Sequence, residues 1–143
     1  MIGPQGLSPL AAVAGFTVLC IDDNMTLVDA LERRLAMEPG FLGLTRVENF
    51  AESVQRVLEH RPSIVILDVN LPGVDAFEIL AQVVTQAPES RVIIFTGHAT
   101  SEVAKAAFAA GAWGFASKGA RAEQVIDAVR RVLAGEAVIA LDD

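Results

Sequence analysis

Short apolar runs and longer helical stripes alternate five times along the chain after Gly15. The apolar runs are rich in β-branched and aromatic residues and show little polar alternation, which is typical of strands buried on both faces. The predicted strands cover residues 16–21, 41–47, 64–68, 92–95 and 113–117. Because strands that alternate with helices form parallel sheets, the pattern predicts a single parallel α/β domain.

A helix is predicted after each strand. Apolar residues of the third and fifth helices recur at the i, i+3, i+4, i+7, i+8 spacing of one buried stripe. These residues are Ala76, Ile79, Leu80, Val83 and Val84, and then Val125, Ala128, Val129, Val132 and Leu133. The first and second helices are marked by Leu27, Leu31 and Leu35, and by Phe50, Val54, Val57 and Leu58. The fourth, "SEVAKAAFAAGA", is rich in alanine and only weakly striped.

Composition narrows the class of protein. The chain has 143 residues, is 52% hydrophobic and carries a net charge of -7, so we expect one globular domain that does not itself bind nucleic acid. The single cysteine, Cys20, lies inside the apolar run "FTVLCI" and is predicted to be a buried core thiol. Residues 1–15 contain no Lys or Arg and are broken by Pro4 and Pro9, unlike a signal peptide or a membrane span. We interpret them as a flexible extension of a cytoplasmic protein.

Acidic residues stand where two predicted strands end. Asp22 and Asp23 follow the first strand, and Asp68 closes the third. If these strands are neighbours, three carboxylates share the rim of the sheet where ligands bind, and they either raise a pKa or collect a cation. Mg²⁺ prefers a few carboxylates together with phosphate oxygens. Since Thr96 and Lys118 end the last two strands, the set predicts a site for a phosphoryl group and Mg²⁺.

Each of these residues also has an ordinary structural role as an alternative. Asp22, Asp23 or Asn24 could cap the first helix, because Asp and Asn are favoured at that position. Asp68 could be a turn residue before Leu-Pro-Gly, and Lys118 could form a surface ion pair. The occurrence of all of them at strand ends favours the site.

With these residues, the sequence resembles the receiver domain of bacterial two-component response regulators over residues 16–135. The resemblance implies a flavodoxin-like (βα)5 fold, a doubly wound five-stranded parallel sheet of order 2-1-3-4-5. The segment "GAWGFASKGARAEQVIDAVRRVLAGEAVI" is similar to the subclass that precedes LuxR-type helix-turn-helix output domains. Residues 136–143 would be a tail or the start of a linker. No DNA-binding helices follow Leu133 in this sequence, so we expect either the amino-terminal part of a transcription factor or a stand-alone receiver.

The resemblance assigns a role to each polar residue of the site. Asp68 would be the phospho-acceptor, with Lys118 as the phosphoryl clamp, and these two residues would carry the chemistry. Asp22, Asp23, Asp68 and the backbone carbonyl of Asn70 would hold Mg²⁺. The phosphoryl donor would be a histidine kinase or a histidine phosphotransfer protein. The chain would not be an enzyme beyond promoting its own aspartyl phosphorylation and dephosphorylation.

The resemblance also implies a switch. Thr96 would be the switch hydroxyl, which turns toward the new phosphoryl oxygens, and Phe115 the switch aromatic, which turns inward to fill the vacated space. This change would reach the surface made by helix 4, strand 5 and helix 5, through which a homodimer could form. A second surface for a homodimer is offered by helices 1 and 5.

Three other functions remain open at this stage. A phosphate-independent interaction module is suggested by Gly119, where many receivers have proline, and by Gly97, where alanine is common. A metal-dependent phosphatase ranks lower because Asn70 stands where that class usually has a second acid. A flavin-binding domain of the same sheet order ranks lowest, since Asp22 and Asp23 would repel the flavin phosphate.

Overall fold

The apolar runs form a single parallel sheet in the computed structural model, which describes residues 15–141. The strands are β1 (Phe16–Ile21), β2 (Phe41–Arg46), β3 (Ile64–Leu67), β4 (Arg91–Thr96), β5 (Gly114–Ser117) and β6 (Val138–Ala140). Their order is β2-β1-β3-β4-β5-β6, and every neighbouring pair is parallel. The predicted flavodoxin-like α/β class and the order of the first five strands are therefore confirmed. Residues 1–14 of the predicted extension lie outside the described range.

Five helices connect the strands. They are α1 (Met25–Leu35), α2 (Ser53–His60), α3 (Ala76–Gln86), α4 (Ser101–Ala109) and α5 (Ala122–Leu133), with a short 3₁₀ turn at Phe50–Glu52 before α2. Side-chain oxygens of Asn24, Asp75 and Thr100 accept backbone N–H bonds at the starts of α1, α3 and α4. None of the helices among residues 15–141 is both long and apolar enough to cross a membrane.

The two faces of the sheet carry separate hydrophobic clusters. Helices α1 and α5 cover one face with residues such as Leu35 and Val129. Helices α2, α3 and α4 cover the other with residues such as Val57, Leu80 and Ala107. Every predicted helical stripe lies in one of these clusters or packs against it. Ala107 is the one fully buried residue of α4, which agrees with the weak stripe of that helix.

The prediction of five strands was wrong, because β6 forms within the predicted tail. Gly135, which follows the C-cap residue Ala134 of α5, adopts a left-handed conformation with φ 94°. Its N–H donates to the carbonyl of Val132, and that of Glu136 donates to the carbonyl of Arg131, the two bonds of a Schellman turn. This turn sends the chain back along β5. Val138 and Ala140 then become buried, which stabilises the short strand. The proposed domain boundary at residue 135 remains a prediction.

The cysteine lies in the core, as predicted. Cys20 is 1% exposed within the cluster that α1 and α5 cover. Burial, with smaller effects from nearby charges, raises the pKa of the Cys20 thiol to about 12. The thiolate form is therefore not populated near neutral pH, and the residue is unsuited to act as a nucleophile.

Candidate functional site

Three carboxylates meet at the carboxyl ends of β1 and β3. The two strands are paired in register up to Ile21 and Leu67, and the N–H of Asp68 donates to the Ile21 carbonyl at 2.9 Å. Asp22, Asp23 and Asp68 each bring one carboxylate oxygen within 4.8 Å of the others. The side chains of Asp22 and Asp68 are buried, whereas Asp23 is exposed. The structure thus brings together the three acids that the sequence placed at strand ends.

The acids are not needed to cap the first helix. The Asn24 side chain is the cap of α1, because its Oδ1 accepts a hydrogen bond from the N–H of Leu27 at 3.1 Å. Asp22 Oδ1 accepts from the N–H of Asn24 at 2.8 Å, and Asp68 Oδ1 accepts from the N–H of Asn70 at 3.0 Å. Each buried acid therefore uses Oδ1 to hold its own loop, and its Oδ2 lies 3.0 Å from the Lys118 ammonium.

Lys118 supplies a positive charge to this group. Its Nζ lies 3.0 Å from Asp68 Oδ2 and 3.0 Å from Asp22 Oδ2. The N–H of Lys118 donates to the carbonyl of Thr96 at 2.9 Å, which fastens the end of β5 to β4 and fixes the direction of the lysine. Burial lowers the pKa of Lys118, but hydrogen bonds to Asp68 and Asp22 outweigh this effect and raise the pKa above its usual value. The side chain is therefore an ammonium at neutral pH.

The donor set fits a hard cation. Burial raises the pKa of Asp22, while its hydrogen bonds with Asn24 and Lys118 oppose the rise. In the described part of the chain, Asp22 Oδ2 is a buried side-chain oxygen that accepts no hydrogen bond, although Lys118 Nζ is close to it. Three carboxylates stand against one ammonium, so an oxygen-preferring divalent cation would both coordinate the Asp22 oxygen that accepts no hydrogen bond and neutralise the excess negative charge. Asn70 is exposed beside the acids, and the role of its carbonyl remains a prediction.

The two predicted switch residues lie deeper in the sheet. Thr96 is fully buried at the end of β4, and its Oγ1 accepts a hydrogen bond from the N–H of His98 at 3.0 Å. Phe115 is 1% exposed and belongs to the cluster beneath α2, α3 and α4. An inward turn of Phe115 would therefore move the ring within the core, and not from solvent into the core.

Sequence reasoning missed the contribution of Ser117. Its Oγ accepts a hydrogen bond from the N–H of Gly119 at 3.0 Å, and its carbonyl accepts from the N–H of Ala120 at 3.0 Å. A proline at position 119 has no N–H and could not make the first bond. The serine two residues before a glycine was the available signal, since serine hydroxyls commonly bond the backbone two residues on. The loop after Lys118 is thus tied down without proline.

Comparison with protein families and curated proteins gives consistent matches. The family model described as the response regulator receiver domain matches residues 18–130. The chain is 35% identical over 122 residues to the transcriptional activator protein ExaE of Pseudomonas putida, covering 85% of this chain and 57% of ExaE. It is 28% identical over 122 residues to the transcriptional regulatory protein DegU of Brevibacillus brevis, covering 85% of this chain and 52% of DegU. The chain spans about half the length of these relatives.

Solved structures share the fold. A two-component response regulator of the LuxR family from Aurantimonas sp. SI85-9A1 is 26% identical and superimposes with a TM-score of 0.81. The match covers 87% of this chain and 89% of that one. A chain of the CheX-CheY-BeF3-Mg+2 complex from Borrelia burgdorferi is also 26% identical, with a TM-score of 0.76, and the match covers 83% of this chain and 90% of that one.

Proposed function

The chain belongs to the response regulator receiver domain family, and from this premise we propose that Asp68 is the residue that accepts its phosphoryl group. The chain is thus a receiver domain of two-component signalling and is homologous to transcriptional regulators. The observation that carries the proposal is the contact between Asp68 and Lys118. Asp68 is 3% exposed at the end of β3, and its Oδ2 lies 3.0 Å from the Lys118 ammonium.

Asp68 would act as the nucleophile. One of its carboxylate oxygens attacks the phosphorus of a phosphohistidine on a histidine kinase or a histidine phosphotransfer protein. The new O–P bond forms as the N–P bond breaks, and the electron pair of that bond remains on the imidazole nitrogen of the donor. Such transfers depend on positioning and charge neutralisation more than on covalent help from the protein. Lys118 would neutralise the phosphoryl oxygens, because its ammonium lies 3.0 Å from the Oδ2 of the attacking carboxylate.

Asp22, Asp23, Asp68 and the backbone carbonyl of Asn70 would hold Mg²⁺ beside the acceptor. When bound, the ion would supply positive charge to the phosphoryl oxygens. Two observations support this assignment: a buried oxygen of Asp22 accepts no hydrogen bond, and the acids outnumber the single ammonium. The same acids keep the site anionic until a cation binds, which disfavours a flavin phosphate there.

Switching would pass through Thr96 and Phe115. The Thr96 hydroxyl would leave the His98 N–H and turn toward the phosphorylated Asp68, and the ring of Phe115 would shift within the core. The changed surface would be that of α4, β5 and α5, or that of α1 and α5, either of which would serve a homodimer. Phosphorylation would regulate transcription through a separate output domain, because the receiver domain itself is acidic and unsuited to bind nucleic acid. We expect no turnover of an external substrate.

Intact mass spectrometry after incubation with acetyl phosphate tests the proposal. We expect the wild type to gain the mass of one phosphoryl group with Mg²⁺ present and to gain none when the metal is chelated. Asp68→Asn should gain none under either condition. Asp127→Asn is the matched control, because the Asp127 side chain is half-exposed on α5 and should react like the wild type. Equal labelling of Asp68→Asn and the wild type would refute the assignment.

A further inference from the structure

An apolar groove of about 480 Å³ lies between α4, β5 and β6. One end is formed by the loop that enters α4, and the floor by Phe115. Ile139 and Leu141 form the side opposite α4. The groove exists because β6 extends the sheet beyond the area that α4 covers.

The sixth strand is held firmly on one face and weakly on the other. Val138 and Ala140 are buried, and both belong to the cluster that α5 covers. On the groove face, Ile139 is 55% exposed and Leu141 is 50% exposed. The strand has three residues, pairs with β5 alone and forms the edge of the sheet. A short edge strand with few buried apolar contacts belongs to the part of a structure that opens most easily.

Two sides of the groove are connected to the proposed phosphorylation site. Phe115 is the register partner of Ile139, so the switch aromatic lies directly beside the middle of β6. The loop at the end of the groove begins immediately after Thr96. That loop is attached to the switch hydroxyl, because the His98 N–H donates to Thr96 Oγ1 at 3.0 Å. If rotation about χ1 carries Oγ1 toward a phosphoryl group on Asp68, Oγ1 moves away from the His98 N–H and this bond is lost.

We infer that β6 is a strap whose hold on β5 loosens when Asp68 is phosphorylated. The inference rests on the proposed function of Asp68. Loss of the hydrogen bond between the His98 N–H and Thr96 Oγ1 loosens the loop at the end of the groove. The shift of the Phe115 ring then removes the apolar surface against which Ile139 packs. The strap then keeps only its contacts with α5. The Schellman turn at Gly135 is the hinge, since it lies between α5 and the strand and does not contact the groove.

Hydrogen exchange with mass spectrometry directly measures how readily the backbone hydrogen bonds between β6 and β5 open. The protein is compared with and without beryllofluoride and Mg²⁺, which mimic the phosphorylated state. We expect amides of residues 136–141 to exchange roughly two- to tenfold faster with the mimic, the range expected for the net worth of one lost hydrogen bond. Amides of β1 and β3 in the centre of the sheet should keep their rates.

A pair of variants separates the strap from general destabilisation. Ile139→Ser removes the apolar side chain that covers Phe115 and should give fast exchange of residues 136–141 without the mimic, with little further change when it is added. Leu42→Ser is the matched control, because Leu42 is 70% exposed on β2 at the opposite edge of the sheet. It should behave like the wild type at residues 136–141. Wild-type exchange of the strap in Ile139→Ser would overturn the inference.

The outcomes also distinguish the inference from the function on which it rests. If the mimic changes exchange around Asp68 and the loop after Thr96 but leaves residues 136–141 unchanged or more protected, the strap is refuted and the phospho-acceptor stands. If the mimic changes exchange nowhere in the wild type, both are refuted. A loosened strap in wild type that is absent in Asp68→Asn supports both.

Discussion

Replacement of Lys118 by methionine removes the single ammonium from a group of three acids. In the wild type, Lys118 Nζ lies 3.0 Å from both Asp22 Oδ2 and Asp68 Oδ2. These two acids are 2% and 3% exposed, so their charges have little access to water. Methionine keeps an unbranched chain of similar length but leaves both carboxylates without a counter-charge. In the absence of a divalent cation, we therefore expect the variant to be less stable than the wild type.

The size of the loss follows from the distances. At an effective dielectric constant of about 20, two unit charges 3.0 Å apart attract by roughly 5.5 kcal/mol before desolvation is subtracted. Removing one partner of a fully buried ion pair costs about 3–5 kcal/mol. Because the Lys118 side chain is 21% exposed, solvent screens part of this interaction. We expect the free energy of unfolding to fall by about 2–3 kcal/mol.

Urea denaturation in a chelating buffer, and again with Mg²⁺, measures this loss. Lys105→Met is the matched control, because Lys105 is exposed on α4 and has no place in the group of acids. Mg²⁺ should stabilise Lys118→Met more than the wild type, since the cation replaces the missing charge and a ligand that binds only the folded state raises its stability. A loss in Lys118→Met no larger than that of the control, below about 0.5 kcal/mol, would refute this electrostatic account.

Three further substitutions or modifications test separate parts of the structure. Asp23→Asn should weaken Mg²⁺ binding about tenfold in a calorimetric titration without lowering stability, because Asp23 is exposed and its loss reduces the negative charge of the site; unchanged affinity would exclude Asp23 from the metal site. Gly135→Ala should lower the free energy of unfolding by about 1–2 kcal/mol in urea, since its φ of 94° strains any residue with a Cβ; an unchanged midpoint would contradict the Schellman turn. The Cys20 thiol, with a pKa of about 12, should react with a disulfide reagent at pH 8 only after unfolding, and rapid native labelling would contradict its burial.

Much of the site could be predicted because its charged residues lie at the ends of the predicted strands. A parallel sheet collects the carboxyl ends of its strands at one edge, so Asp22, Asp68 and Lys118 come together once the strands are recognised. The strand pattern did not predict which residue of each loop caps the following helix and which belongs to the site. Asn24 and not a neighbouring acid caps α1, and this depends on backbone angles that residue types alone do not determine.

The sixth strand and the Ser117 contact were missed for a different reason. Val138–Ala140 is too short to show an alternation of apolar and polar residues. It forms a strand because of the turn at Gly135 and because it is buried against α5. Ser117 acts through the N–H of Gly119, a backbone group that every residue except proline offers. Both features depend on tertiary contacts and on backbone groups, which sequence patterns of hydrophobic and polar residues do not record.

The position of the phosphoryl group on Asp68 can be determined chemically. After incubation with acetyl phosphate and Mg²⁺, borohydride reduction converts an aspartyl phosphate into homoserine, and peptide sequencing by mass spectrometry then locates it. We expect homoserine at position 68 in the peptide that contains "ILDVNLPG", with Asp22 and Asp23 unmodified. Homoserine at another aspartate, with position 68 unmodified, would contradict the assignment to Asp68.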